Sequence, residues 1–176
     1  MKIRIISFFL VSVLTGCITQ KISNSHNKSS SISASIDLTK VVDDKLSIII
    51  NPDRITTEVA TYRLPRIVQG TYSISDFGRF IEAFKAFDYN GKELIVSKPD
   101  INTWVINDAK NLDKITYLVN DTFDIEKSND DNVPLSPSGT NIETENYVLN
   151  LHGLIGFFDS LKNAQYELNI ISPINF

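Results

Sequence analysis

The chain has 176 residues, of which 42% are hydrophobic, and a formal net charge of −4 at pH 7. This length allows one hydrophobic core behind a leader segment and is too short for two ordinary domains. The acidic balance excludes nucleic acid as a partner, because no basic stripe is available to neutralise phosphates. The single cysteine excludes an internal disulfide framework.

The first sixteen residues are typical of a bacterial lipoprotein signal peptide. Lys2 and Arg4 give a basic start, and an apolar run from Ile5 to Leu14 follows. That run is shorter than the roughly 20 apolar residues that span a bilayer as a helix. It ends in Leu14-Thr15-Gly16-Cys17, which resembles a lipobox. We expect residues 1–16 to be removed and Cys17 to carry diacylglycerol and a fatty acyl group such as palmitate. The alternative is a free thiol at Cys17 on an uncleaved apolar segment.

Residues 17–35 are predicted to form a disordered tether behind the lipidated cysteine. Seven serines and two asparagines lie between Ile18 and Ser35, with few large apolar side chains to offset the entropy of ordering. The predicted address is the cell envelope, where the lipid anchor makes the membrane a partner. In a Gram-negative cell we expect the outer membrane, because Ile18 does not resemble an inner-membrane retention signal.

Residues 36–176 are predicted to form one all-β domain, a mostly antiparallel β-sandwich. Short runs rich in β-branched residues alternate with polar turns throughout this region, as in sandwich proteins. Asn90-Gly91 is the strongest hairpin signal, with positive φ expected at both positions. The predicted strands are Ser35–Val42, Leu46–Asn51, Thr56–Leu64, Leu94–Ser97, Thr103–Ile106, Lys114–Asn120, Asn146–Leu151, Ile155–Phe158 and Tyr166–Ile171.

The segment Asp76–Phe87 has two possible interpretations. Its phenylalanines fall at helical spacing, which favours a helix. The Asn-Gly turn that follows requires a strand before it, and on that ground we favour a strand with both faces largely covered. The phenylalanines could line a ligand groove, but such a density is more typical of a hydrophobic core. They are Phe77, Phe80, Phe84 and Phe87.

The sequence lacks the side chains of a complete catalytic site. His26 and His152 are the only histidines, and no H-E-x-x-H pair is present to bind zinc. His152 could serve as a lone base, although an ordinary strand or loop position is the better interpretation. An acidic group lacks the spacing of a calcium loop and is interpreted as solvated rather than metal-binding. It comprises Asp121, Asp124, Glu126, Asp130 and Asp131. We predict no metal, no cofactor and no catalytic residue.

A series of short motifs lies between about Ser33 and Pro173. In chain order they are Leu64-Pro65, Gly70-Thr71-Tyr72, Ser75-Asp76-Phe77, Ala86-Phe87-Asp88 with Gly91, Asn102-Thr103-Trp104, Lys114-Ile115-Thr116-Tyr117 and Ser138-Gly139-Thr140-Asn141-Ile142. The series resembles the N-terminal domain of the glycyl aminopeptidase family, metallopeptidase family sixty-one. The sequence departs from the family at Gln69, where proline is common, and at Ser75, where arginine is common. Family members place this β domain ahead of a zinc catalytic domain and a PDZ domain.

The resemblance implies a non-catalytic domain that packs beside a separate zinc peptidase catalytic domain, as a truncated or split peptidase. On this interpretation the chain is not an enzyme by itself, and it should expose an apolar patch for its partner. The alternative is a stand-alone β-sandwich lipoprotein that binds a peptide or glycan. Its contact platform would be an exposed set of aromatic side chains, for which the candidates are Tyr72, Trp104 and Tyr147.

Overall fold

A computed structural model describes residues 31–123, 134, 138–143 and 146–174. Within them the chain forms eleven strands and one short helix. The strands are β1 (Ser31–Asp37), β2 (Lys45–Asn51), β3 (Val59–Arg63), β4 (Ile81–Asp88), β5 (Val96–Asp100), β6 (Thr103–Asn107), β7 (Leu112–Asn120), β8 (Asn141–Ile142), β9 (Tyr147–Val148), β10 (Phe157–Phe158) and β11 (Gln165–Ile171), and helix α1 is Leu151–Leu154. The all-β prediction is confirmed.

The larger sheet has five strands in the order β11-β1-β2-β7-β4. Alternate side chains of β1 are fully buried, namely Ile32, Ala34 and Ile36, and the serines between them face outward. This period of two is what a strand needs to bury one face. β1 pairs with β11 in parallel, and the other pairs in this sheet are antiparallel.

The second sheet has four strands in the order β10-β3-β6-β5 and faces the first across one core. Tyr62 of β3 packs on Phe84 of β4 with ring centroids 5.9 Å apart, and Trp104 of β6 stacks on the same Phe84 at 4.9 Å. Aromatic contacts therefore join the two sheets near the middle of the sandwich. β8 and β9 form a separate two-stranded sheet.

The ambiguous segment divides into a 3-10 turn, Phe77–Phe80, and strand β4. The strand interpretation is confirmed, but its two faces are not both covered, because Glu82, Ala83 and Lys85 are exposed. A bulge at Ala83, where φ is +50°, shifts the register against β7. That irregularity accommodates Phe84 and Phe87 in an edge strand, whereas Phe77 and Phe80 of the same near-helical series lie in the 3-10 turn. Phe77 and Phe80 are buried, as predicted for core residues.

The Asn-Gly turn forms, but its returning strand does not stay beside β4. Gly91 donates its amide to the Asp88 carbonyl at 2.9 Å, and only Gly91 of the two turn residues has positive φ, at +80°. The expectation of positive φ at both positions was wrong, because this three-residue turn needs a left-handed conformation only at its last residue. After Leu94 the chain crosses to the second sheet as β5.

The predicted tether is shorter than expected at its end nearest the domain. Ser31–Ser35 lie in β1, paired with both β2 and β11, and so belong to the sheet. The serine-rich composition concealed a strand whose two buried side chains in this stretch are Ile32 and Ala34. Residues 17–30 lie outside the described residues.

Candidate functional site

Several residues singled out in the sequence lie outside the described part of the chain. They include Cys17, so lipid attachment stays a prediction, and His26. Of the acidic group, only Asp121 is described. Its side chain is buried and accepts the amides of Phe123 and Ile142, which tie the end of β7 to β8. Asp121 is thus a structural carboxylate rather than a solvated one.

His152 lies in helix α1, and its ring makes structural contacts. Its Nε2 donates to the carbonyl oxygen of Ser138 at 2.9 Å, and its ring lies edge-on to Phe77 with centroids 5.2 Å apart. The ring therefore fastens α1 to the segment before β8. Across the described ranges, no group of three or more His, Cys, Asp or Glu side chains is placed to hold a metal ion.

The three aromatic candidates do not form a shared platform. Trp104 is 3% exposed, and the Lys98 ammonium lies 4.7 Å above its ring. Tyr147 is half-buried and donates its hydroxyl to the Leu38 carbonyl at 3.2 Å. Tyr72 is fully exposed in a loop with positive φ. The sequence could not predict the burial of Trp104, because it depends on the partner sheet.

Sequence reasoning missed a chain of hydrogen bonds through the centre of the sandwich. The Gly156 amide donates to the Tyr62 hydroxyl at 2.7 Å, and the hydroxyls of Tyr62 and Tyr117 lie 2.8 Å apart. Tyr117 donates to the Leu154 carbonyl at 2.7 Å, so Tyr62 is the donor in the tyrosine pair. Every polar atom in this buried path has a partner, as buried polar groups require.

This hydrogen-bond chain holds the segment from Leu154 to Gly156 against both sheets. Gly156 approaches β3 so closely that an added Cβ would lie 2.0 Å from the Arg63 carbonyl oxygen, which only glycine allows. Burial raises the pKa values of Tyr62 and Tyr117 well above their ordinary range. Both hydroxyls therefore stay protonated and keep donating at neutral pH.

A charged cleft of about 540 Å³ lies at one end of the second sheet. Four chain segments meet there: the exit of β3, the residue before the 3-10 turn Phe77–Phe80, the turn from β5 to β6, and the start of β10. The cleft combines apolar walls with two cations and two anions. It is lined by Arg63, Leu64, Pro65, Arg66, Asp76, Asp100, Ile101, Asn102, Thr103 and Phe157.

Asn102 organises the charged cleft through its own backbone and side chain. Its Nδ2 donates to Asp76 Oδ1 at 2.8 Å, and its Oδ1 accepts the Gly78 amide at 2.9 Å. Its backbone amide donates to Asp100 Oδ1 at 2.8 Å, and its carbonyl accepts the Leu64 amide at 3.0 Å. One residue in a turn thereby holds both carboxylates, Asp76 through its side chain and Asp100 through its backbone amide.

Beside the charged cleft an apolar groove of about 270 Å³ runs between β10 and β11, and Phe157 lines both. The groove is also lined by Leu151, His152, Ile155, Gly156 and Tyr166. The Tyr166 hydroxyl donates to the Gly156 carbonyl at 2.9 Å, and burial raises its pKa to about 12. This side chain bridges the two edge strands at the mouth of the groove.

The family motifs are an indirect signal for the charged cleft. Leu64-Pro65, Asp76 and Asn102-Thr103 belong to three of the motifs that carry the family resemblance, and all of them line the cleft. The motifs lie up to 39 positions apart in the chain, so only the fold shows that they converge.

Comparison with known proteins relates this fold to a peptidase family. Residues 33–176 match the family described as the Peptidase M61 N-terminal domain. The chain belongs to this family. The match confirms the resemblance carried by the sequence motifs, and it concerns the non-catalytic N-terminal domain of the M61 peptidases.

A solved structure supports the same fold for this M61 N-terminal domain. It is the crystal structure of an aminopeptidase N family protein from Idiomarina loihiensis, with a TM-score of 0.67 and 19% sequence identity. The match covers 81% of this chain and 22% of that chain, so the M61 domain spans less than a quarter of that protein. No curated protein matches. Among the described residues of the M61 domain, no helix has the length and apolar character to cross a membrane.

Proposed function

We propose that this chain is a membrane-anchored lipoprotein whose M61 N-terminal domain packs beside a zinc peptidase catalytic domain and is not catalytic by itself. The catalytic domain would lie on a longer form of the same polypeptide or on a separate chain. The lipid on Cys17 would hold the assembly at the cell envelope, on the outer membrane of a Gram-negative cell. The observation that carries the packing role is an uncovered apolar face on β11.

That face continues the core-facing row of the larger sheet. In the parallel register Ile32 pairs with Tyr166, Ala34 with Leu168 and Ile36 with Ile170. The three residues of β1 are fully buried, yet Tyr166 is 41% exposed and Ile170 is 44% exposed. A row that is core on β1 is therefore only partly covered on β11, where Leu168 still packs against the core while Tyr166 and Ile170 are open to solvent.

The row is partly uncovered because the second sheet has one strand fewer than the larger sheet and ends in a short edge strand. The second sheet ends at β10, which has only two residues, whereas β11 has seven. Beyond the end of β11, Ile174 adds a fully exposed apolar side chain, whereas Ile171 pairs with Asp37 and lies in the outward-facing row. An apolar face of this kind at a sheet edge is typical of an interaction surface.

The first experiment is to read the gene past the codon for Phe176. A downstream reading frame with H-E-x-x-H supports a catalytic partner for this domain. Absence of such a frame in the genome neighbourhood would favour the stand-alone binding alternative. Of the aromatic candidates for that alternative, Trp104 is buried, Tyr147 is half-buried and Tyr72 is fully exposed.

Membrane anchoring is tested with Cys17→Ser in the full chain. We expect wild type to incorporate labelled palmitate and to sediment with membranes, because two or three acyl chains bury enough methylene groups for stable anchoring. The variant should lose the label and appear in the soluble fraction. Full membrane recovery of Cys17→Ser would contradict the lipid anchor.

Domain packing is tested with Ile170→Lys on the uncovered face and Ile95→Lys as a matched control. Ile95 is also apolar and exposed, at 74%, but lies on the connection from β4 to β5. We expect Ile170→Lys to weaken binding to the H-E-x-x-H domain by about tenfold or more, because a lysine there would be desolvated. Ile95→Lys should bind like wild type. Equal binding by both variants would remove β11 from the interface.

A further inference from the structure

We propose that the charged cleft binds a short zwitterionic peptide, with the peptide carboxylate on Arg66 and its ammonium group on Asp100. The inference goes beyond the packing role of the domain and does not rest on it. It concerns this chain alone, and it follows from charged groups in the cleft whose internal contacts leave donors and acceptors open to a ligand.

The cations of the cleft retain free donors. Arg66 is 65% exposed, and in the described part of the chain its one polar side-chain contact runs from Nε to Asp76 Oδ1, at 3.5 Å. Arg63 is held by Asp159 through Nε at 3.0 Å and by Thr103 through Nη1 at 2.6 Å. That leaves Nη2 of Arg63 and both terminal nitrogens of Arg66 for a ligand.

The two carboxylates of the cleft differ in the number of hydrogen bonds and ion pairs that they accept. Asp76 accepts from both Asn102 and Arg66. Asp100 accepts only the Asn102 backbone amide and forms no ion pair within the described ranges. Its charge nevertheless acts locally, since it partly offsets the desolvation that lowers the pKa of Lys98. Asp100 is thus the carboxylate available to a ligand cation.

The charge balance selects the chemical class of the ligand. Two arginines and two aspartates give the lining a formal charge of zero, which suits a ligand with one positive and one negative end. The planar guanidinium of Arg66 can hold a carboxylate through two hydrogen bonds. A phosphate dianion would meet both aspartates without a compensating cation of its own.

The size and walls of the cleft favour a short peptide over a single amino acid. Its volume of about 540 Å³ falls in the range of roughly 300–1,000 Å³ found for small-ligand sites. Phe157, Ile101 and Leu64 supply apolar walls for side chains. Because Asn102 already fixes Asp100 and Asp76, little of the site has to be ordered when a ligand binds.

The test is equilibrium dialysis of the full chain in detergent with radiolabelled leucyl-leucine. The same measurement is made with leucyl-leucinamide, which lacks the carboxylate, and with N-acetyl-leucyl-leucine, which lacks the ammonium group. The variants are Arg66→Gln and Asp100→Asn, with Arg54→Gln as a matched control on the exposed surface. Circular dichroism of each variant checks that the fold is retained.

We expect Arg66→Gln and Asp100→Asn each to weaken leucyl-leucine binding by about tenfold or more, and Arg54→Gln to leave it unchanged. Leucyl-leucinamide should bind wild type and Arg66→Gln equally, since the group that Arg66 recognises is absent. N-acetyl-leucyl-leucine should likewise not distinguish wild type from Asp100→Asn. Together, these comparisons assign the carboxylate of the ligand to Arg66 and its ammonium group to Asp100.

Three results would overturn the proposal. Leucyl-leucine could fail to bind wild type at concentrations up to about 10 mM, which would leave the cleft without a specific affinity for the dipeptide. It could bind all four proteins equally, which would place it outside the cleft. Inorganic phosphate could bind in an Arg66-dependent way while the dipeptide does not, which would make the cleft a simple anion site.

Discussion

At the scale of single residues, the pair Tyr62 and Tyr117 does the most to define the centre of the molecule. Both side chains are fully buried, they come from different sheets, and together they satisfy the backbone groups of Leu154 and Gly156. A buried hydroxyl is tolerated only with such partners, because an unsatisfied buried polar group costs about 1–3 kcal/mol. The two tyrosines therefore position the segment that borders both the charged cleft and the apolar groove.

Replacing either tyrosine by phenylalanine should lower the free energy of unfolding by about 1–3 kcal/mol. Tyr62→Phe leaves the Gly156 amide unpaired, and Tyr117→Phe leaves the Leu154 carbonyl unpaired. The double variant should lose about 1 kcal/mol less than the sum of the two, since the bond between the hydroxyls is lost only once. Urea unfolding measures this cycle. The exposed Tyr89 supplies the control Tyr89→Phe, and strict additivity would refute the coupling.

At the scale of elements, the turn after β4 decides how the chain passes from one sheet to the other. Asp88 Oδ1 accepts the amides of Asn90 and Lys92, each at 2.8 Å. The Lys92 amide, followed by smaller contributions from the Asn90 amide and side chain, holds the pKa of Asp88 below its ordinary value despite the opposing effect of desolvation. The ionised carboxylate thus stabilises the turn in which Gly91 takes positive φ.

Asp88→Asn should destabilise the chain at neutral pH, because the amide oxygen can still accept but carries no charge. A lowered pKa in the folded state gives stability that is present above the unfolded value near 3.8 and is lost as pH falls. The difference in melting temperature between wild type and Asp88→Asn should therefore shrink as pH falls below about 3.8. A difference that is constant with pH would show that the charge of Asp88 does not contribute.

At the scale of the whole molecule, the aromatic core makes the fold sensitive to alkali. The pKa values of Tyr62, Tyr117 and Tyr166 are all raised by burial. In the unfolded chain these groups ionise near 10, whereas the folded state keeps them protonated. The stabilisation is therefore fully present below pH 10 and is lost as pH rises toward the folded values.

We expect the free energy of unfolding to fall above pH 10, with a slope that approaches about 1.4 kcal/mol per pH unit for each fully linked tyrosine. Urea unfolding followed by circular dichroism between about pH 8 and 11.5 measures it. The double variant Tyr62→Phe, Tyr117→Phe should show a shallower slope, because two of the linked groups are gone. An unchanged slope would locate the alkaline sensitivity elsewhere.

The sequence by itself determined the strands with a clear alternation, because a period of two in apolar side chains is a local property of the chain. The alternation of Ile48 and Ile50 in β2, or of Ile115 and Tyr117 in β7, specifies a strand with one buried face whatever its neighbours are. The motifs between Leu64 and Ile142 likewise carried the family, since their order along the chain is specific although no single motif is. The helical spacing of the phenylalanines around β4 was the main conflicting signal.

Only the tertiary structure decided how the strands are paired, because an alternating pattern is compatible with many neighbours. The parallel pairing of β1 with β11 joins residues 134 positions apart, from Ser31 to Gln165, and no local signal specifies it. The crossing of β5 to the second sheet, the burial of Trp104 and the meeting of Arg66 with Asp100 at one cleft depend on the same long-range choices. Composition could not predict the open face of β11 either, since its row of apolar side chains resembles a core strand until the width of the opposing sheet is known.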